Sequence, residues 1–139
     1  LSRPPLTPAH VAAVALGGAL GASARWGLSD LVPDGLGFPW TTFAINVTGC
    51  LLLALLPALA VVRRHPVLPL FLGTGVLGGY TTLSTYCEEA RALVADGSTG
   101  MAGAYVLGTL AAAMVAVEFA HRWSTPAAQQ EFDDEEGDE

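Results

Sequence analysis

There is no lysine in these 139 residues; all six cations are arginines. Charged side chains make up 14% of the chain against 52% hydrophobic, too few to clothe a water-soluble domain. Two cysteines, Cys50 and Cys87, both fall in apolar stretches, which excludes a disulfide framework and a cysteine-rich zinc site. His10, His65 and His121 are far apart and show no metal-ligand spacing. Ser23, Ser84 and Ser98 lack a Gly-x-Ser-x-Gly setting, and no histidine lies deep within an apolar stretch to act as a base, so a membrane hydrolase has little to work with.

What the chain has instead is long apolar runs: about 9–31, 42–62, 67–95 and 100–120, each near or above the ~20 residues a spanning helix needs. The expectation is an all-α membrane protein with four transmembrane helices, a channel-sized domain over about 1–125 and an acidic, disordered tail over about 126–139. The first run is too long and too glycine-patterned for a signal peptide. The chain's formal charge of −7 is placed by Glu131, Asp133, Asp134, Glu135, Glu136, Asp138 and Glu139; the rest of the chain is neutral. Connections are short, with no room between spans for a soluble domain. Arg3, Arg63, Arg64 and Arg122 all fall on one side of a four-span chain, whereas the other side carries Asp30, Asp34 and Asp96. The positive-inside rule then puts both termini in the cytoplasm.

Within the spans, polarity is concentrated in three places. Gly17 and Gly21 form a Gly-x-x-x-Gly stripe that lets two helix backbones approach closely. Arg25 extends it by one turn, and an arginine at membrane depth costs about 2.5–3.5 kcal/mol on insertion scales, so it either snorkels or lines a wet vestibule. Thr42 and Asn46 share a face with Gly49 and Cys50. The asparagine makes either an interhelical hydrogen bond worth roughly 0.6–2 kcal/mol or a donor beside an anion or water path. Between residues 73 and 86, Gly78-Gly79-Tyr80 is followed by Thr81, Thr82, Ser84 and Thr85, a run expected to break the third helix at Gly78-Gly79 beside an ion path, since broken backbone is tolerated in lipid only where it lines a cavity or holds an ion. Gly73-x-Gly75-x-x-Gly78 also matches a dinucleotide fingerprint, but it lies inside an apolar span with no strand before it. Glu88 and Glu89 sit where the third span nears water.

Together, Gly18-x-x-Gly21-Ala22-x-x-Arg25-Trp26, Thr42-x-x-x-Asn46-x-x-Gly49 and Gly78-Gly79-Tyr80-Thr81-Thr82-Leu83-Ser84-Thr85-Tyr86 resemble the Fluc (CrcB) family of small fluoride channels in order, spacing and helix placement. The resemblance implies a four-helix subunit of an antiparallel, inverted dimer in a bacterial inner membrane, with two fluoride pores and a structural sodium ion at the dimer centre. It assigns the backbone carbonyls of Gly78 and Thr81 to sodium, Asn46 to the pore, Ser84 and Thr85 to pore-side hydroxyls, Arg25 to the vestibule, and Glu89 to the acidic position after the third motif. Tyr105 and Thr109 match a polar track on the fourth helix, and Thr42 begins the second motif.

Two departures stand out. Where the family places two phenylalanines, this chain has Leu83, which has no ring, and Tyr86, which keeps a ring edge and adds a hydroxyl. The track that reaches Thr109 continues at Ala113 without a hydroxyl. An inverted dimer needs both orientations, and the arginine distribution assigns this chain one, which favours an oppositely oriented partner chain over a homodimer. The expected function is passive fluoride export as half of such a heterodimer. The alternatives are a non-conducting structural partner and a small multidrug exporter, for which Glu118 is the only candidate carboxylate in the fourth helix. Neither an enzyme activity nor an organic cofactor is expected.

Overall fold

A computed structural model of the chain describes residues 7–35 and 37–123. The expected acidic tail and Arg3 lie outside the described residues. Among those described, the backbone is helical with no strand.

Helix α1, Pro8–Leu31, starts at Thr7, whose hydroxyl accepts from the His10 N–H while the His10 ring accepts from the Thr7 N–H. This reciprocal capping, with Pro8 in the first turn, fixes the start. Helix α2, Trp40–Leu55, begins where the Asp34 carboxylate accepts the Thr41 N–H at 2.9 Å and the Thr41 hydroxyl donates to the Val32 carbonyl at 2.7 Å. It ends earlier than its apolar run: Pro57 lacks an N–H, the chain tightens into a 3₁₀ turn at Leu56–Ala58, becomes extended at Leu59, and only then forms the short α3, Ala60–Arg64. The Arg63 guanidinium turns back to donate to the Pro57 carbonyl at 2.6 Å, covering an acceptor at the end of the turn.

The third apolar run forms two pieces. A π-helical stretch, Leu70–Leu77, leads into the single turn α4, Gly78–Tyr80, and α5 follows as Leu83–Ala95. Gly78 and Gly79 are helical; the expected break at that pair is displaced to Thr81 and Thr82, both extended, with ψ of 157° and 121°. Glycine permits a break without causing one. Threonine hydroxyls compete for backbone donors, and Thr82 caps α5 by accepting the Thr85 N–H. Helix α6, Thr99–Trp123, closes the bundle after a tight turn at Gly97, whose φ is +80°. Among the described residues, three helical segments are long and apolar enough to span a membrane: Pro8–Leu31, Trp40–Ala58 and Thr99–Arg122.

The packing divides along the third element. Its first piece lies along α1, whereas α6 packs on α2 and α5. Gly17 and Gly21 are the reason the first contact is so close. A Cβ at Gly17 would strike the Phe71 carbonyl oxygen, and one at Gly21 the Val76 carbonyl oxygen. The partner face is itself glycine: Gly75 stands against Gly17, and a Cβ at Gly79 would strike the Gly18 carbonyl oxygen. Two small-residue stripes, spaced by four in each element, therefore interlock backbone to backbone.

A hydroxyl and amide site at the helix break

The break at Thr81–Thr82 interrupts hydrogen bonds that an intact helix would make, and neighbouring side chains take over some of them. Asn46, half-buried one turn beyond Thr42 on α2, pairs with Thr82 through both amide atoms. Its Oδ1 accepts the Thr82 N–H at 2.8 Å and its Nδ2 donates to the Thr82 carbonyl at 3.0 Å. A side-chain amide thus stands in for a peptide group, which satisfies backbone where lipid offers no water. Arg25 also reaches the break: its Nε donates to the Gly79 carbonyl at 3.3 Å. This arginine therefore has a partly buried backbone partner.

The carbonyls assigned to a cation fit that assignment in one respect. An α-helix would aim the Thr82 N–H at the Gly78 carbonyl and the Thr85 N–H at the Thr81 carbonyl. Here the first goes to Asn46 and the second to the Thr82 hydroxyl, 3.2 Å away. Both oxygens are left without their helical donors, which leaves each more lone-pair capacity for a hard cation. Gly78 and Thr81 line the same groove of about 570 Å³ as Asn46, Thr82, Leu83 and Tyr86.

Thr82, to which the sequence reading gave no role, is the hub. Its hydroxyl lies 3.0 Å from the Thr85 Oγ1, to which it donates, and 3.3 Å from the Ser84 hydroxyl. Ser84 is exposed on the first turn of α5 and Thr85 half-buried beside it. The signal was present in Thr82-x-x-Thr85, a capping spacing before a helix, masked by the row of similar hydroxyls around it.

A second cluster forms one turn further along α5. Glu89 accepts the Thr42 hydroxyl on Oε1 at 2.8 Å and the Tyr105 hydroxyl on Oε2 at 2.7 Å, so three helices meet on one carboxylate. Tyr105 is fully buried, and its ring lies 5.0 Å from that of Tyr86. Phe38, in the α1–α2 connection, stands edge-on to Tyr105 at 5.4 Å; no sequence period marks it, because a loop has none. The Glu88 carboxylate points elsewhere, paired on the surface with Arg91.

The other expected residues are placed less simply. The Tyr86 hydroxyl donates to the Val106 carbonyl at 2.9 Å, so what it leaves toward the groove is ring. Leu83 also lines the groove and is 73% exposed, unlike the half-buried Tyr86. Thr109 is buried with its hydroxyl turned back to the Tyr105 carbonyl at 2.7 Å, and Ala113 follows it along the groove wall. The structure therefore gathers Asn46, Ser84 and Thr85 around Thr82, and Thr42, Glu89 and Tyr105 into one cluster, with Tyr86 between the two. Arg25, on α1, stands apart from both groups, bonded to the Gly79 carbonyl of α4. In the fourth helix, Glu118 pairs with Arg122, leaving no isolated deep carboxylate there among the described residues.

Comparison with known proteins agrees along nearly the whole described chain. Residues 12–121 match the family model described as CrcB-like protein, Camphor Resistance (CrcB). Among curated proteins, the chain is similar to the fluoride-specific ion channel FluC 2 of Nocardia farcinica, 43% identical over 133 residues that cover 91% of this chain and 95% of the relative. It is also similar to FluC 1 of Streptomyces coelicolor, 46% identical over 110 residues, covering 77% and 71% respectively. The FluC channel of Paracoccus denitrificans is 43% identical over 108 residues, covering 75% and 85%. With a family match across residues 12–121 and relatives of this identity and coverage, the chain belongs to the CrcB family.

Proposed function

We propose that this chain is a subunit of a fluoride channel that releases fluoride passively from the cell, assembled with an oppositely oriented partner chain. The observation that carries this reading is membership of a family whose curated members are named fluoride-specific ion channels, together with a row of hydroxyl and amide groups at a helix break inside the apolar body.

Fluoride is small and holds its water tightly, so a pore must offer replacement donors and the positive edges of aromatic rings while binding weakly enough to let it leave. Ser84 and Thr85 supply hydroxyls in the first turn of α5, near the positive end of that helix, and Tyr86 supplies a ring edge. The Asn46 amide keeps a second N–H beyond the one given to Thr82. Thr42, Glu89 and Tyr105 continue the polar route on the other side of Tyr86, with Thr109 behind them. Arg25 would raise local anion concentration at the vestibule. The inside-negative membrane potential drives the ion outward, so neither a nucleotide nor a coupling proton is required.

In this reading the interrupted third element, 67–95, spans the membrane as a fourth crossing, and two inverted subunits bring their breaks together. The carbonyls of Gly78 and Thr81 are the groups that would hold a structural sodium ion, whose charge would offset their oxygen dipoles. Both termini lie in the cytoplasm because Arg63, Arg64 and Arg122 accompany Arg3 on one side. A single orientation makes a heterodimer the favoured assembly. Leu83, lacking a ring where the family has one, favours the second reading of a supporting subunit that does not itself conduct.

Growth of a fluoride-sensitive bacterium tests the channel function and which chains it requires. Resistance that requires both this chain and a neighbouring family member supports the heteromeric channel. Resistance from this chain alone supports a homodimer, and no resistance with either combination contradicts the function.

A further inference from the structure

We infer that Asn46 is a positioning residue that holds the helix break in its conducting shape through the backbone of Thr82, an inference that rests on the channel reading for its consequence in flux. The geometry is reciprocal: one amide takes the Thr82 N–H at 2.8 Å and gives its own N–H to the Thr82 carbonyl at 3.0 Å. A side chain placed only to meet a passing ion has no need to spend both of its polar atoms on one residue.

Three things follow from that pairing. First, Thr82 is held extended, with φ −144° and ψ 121°, so its hydroxyl can cap α5 on the Thr85 N–H and sit 3.0 Å from the Thr85 Oγ1. The hydroxyls of Ser84 and Thr85 are thereby set as a group. Second, the Thr82 N–H is withheld from the Gly78 carbonyl, its partner in a continuous helix, which leaves that oxygen without its helical donor in a residue that lines the groove. Third, Thr82 is buried, so without Asn46 its N–H would lie unpaired in an apolar setting. The same two bonds therefore govern the hydroxyl group on one side of the break and the Gly78 carbonyl on the other. Gly49, one turn along α2, keeps room for this arrangement: a Cβ there would strike the Thr81 methyl carbon.

The test pairs fluoride efflux with amide hydrogen exchange over residues 81–86, both on the assembled complex in lipid. Asn46→Leu keeps the branched outline in a larger side chain and removes both bonds. Asn46→Asp keeps the size and the acceptor for the Thr82 N–H but loses the donor. Asn46→Leu is expected to speed exchange at Thr82 and Thr85 about tenfold or more and to cut efflux by a similar factor or more, with Asn46→Asp raising exchange less. Efflux lost while exchange at these amides is unchanged overturns the inference, because the amide then acts on the ion alone. Faster exchange with efflux retained also overturns it, since conduction then does not depend on the held break. An inactive wild-type complex would refute the channel reading, while the exchange data would still decide whether Asn46 holds the break. If Asn46→Leu does not assemble, Asn46→Asp carries the comparison.

Discussion

Placing a methyl group on Gly21 tests the backbone contact between α1 and the third element more sharply than any side-chain deletion. Its Cβ would meet the Val76 carbonyl oxygen well inside contact distance and lie 2.8 Å from both the Val76 carbonyl carbon and the Tyr80 nitrogen. All three are backbone atoms of a packed element, so relief requires the two elements to separate. Overpacking of this kind costs about 1–3 kcal/mol, and the upper part of that range applies where no flexible side chain can yield. Against it stands the helix-propensity gain of alanine over glycine, about 0.8–1 kcal/mol. Gly27 supplies the control, because it lies in the same helix with nothing within 4 Å of its would-be Cβ. Gly27→Ala should therefore be neutral or stabilising, and Gly21→Ala less stable than it by about 2 kcal/mol or more. Reversible unfolding in mixed micelles by denaturing-detergent titration measures the difference. Equal stability of the two variants would refute the close backbone contact.

The cluster on Glu89 makes a coupled prediction: Thr42→Val and Tyr105→Phe should each lower fluoride efflux several-fold, and the double variant should fall short of the product of the two, because both hydroxyls act on one carboxylate. Effects that multiply independently in an efflux assay would contradict that linkage. At the departed aromatic positions, Leu83→Phe should raise or maintain efflux and Tyr86→Ala should lower it by removing the ring edge; no response to either, in normally assembled protein, would identify this chain as the supporting half. A reporter fused after Glu139 should be cytoplasmic in nearly all molecules, and equal reporting from both sides would contradict the fixed orientation. Depleting sodium should reduce the thermal stability of the assembled complex, and restoring sodium should recover it; indifference to sodium would remove the cation from the account.

Periodicity made one side of each contact legible and concealed the other. Gly17 and Gly21 announce a face that another backbone can approach, but spacing along one helix does not say which element arrives. The answer, Gly75 and Gly79, lies in a stretch whose glycines also suggest a break, which masks their packing role. The break itself was legible as a region and misplaced by a few residues, because glycine is compatible with helix and non-helix alike while Thr82 gains specific bonds by leaving it. Asn46 was recognisable as a polar group facing protein, yet its partner is backbone, and a sequence gives no sign of which peptide group has lost its helical bond. The apolar run to residue 62 overstated α2 because hydropathy does not register the missing N–H of Pro57. Phe38 was illegible for a simpler reason: its contact with Tyr105 depends on the path of a loop.

Fluoride release from liposomes tests the central claim most directly. This chain, purified together with an oppositely oriented family member and reconstituted into vesicles loaded with fluoride or chloride, should release fluoride when a potassium ionophore clamps the membrane potential, and should retain chloride. Release of both anions at similar rates, or of neither from a complex shown to be assembled, would contradict the account.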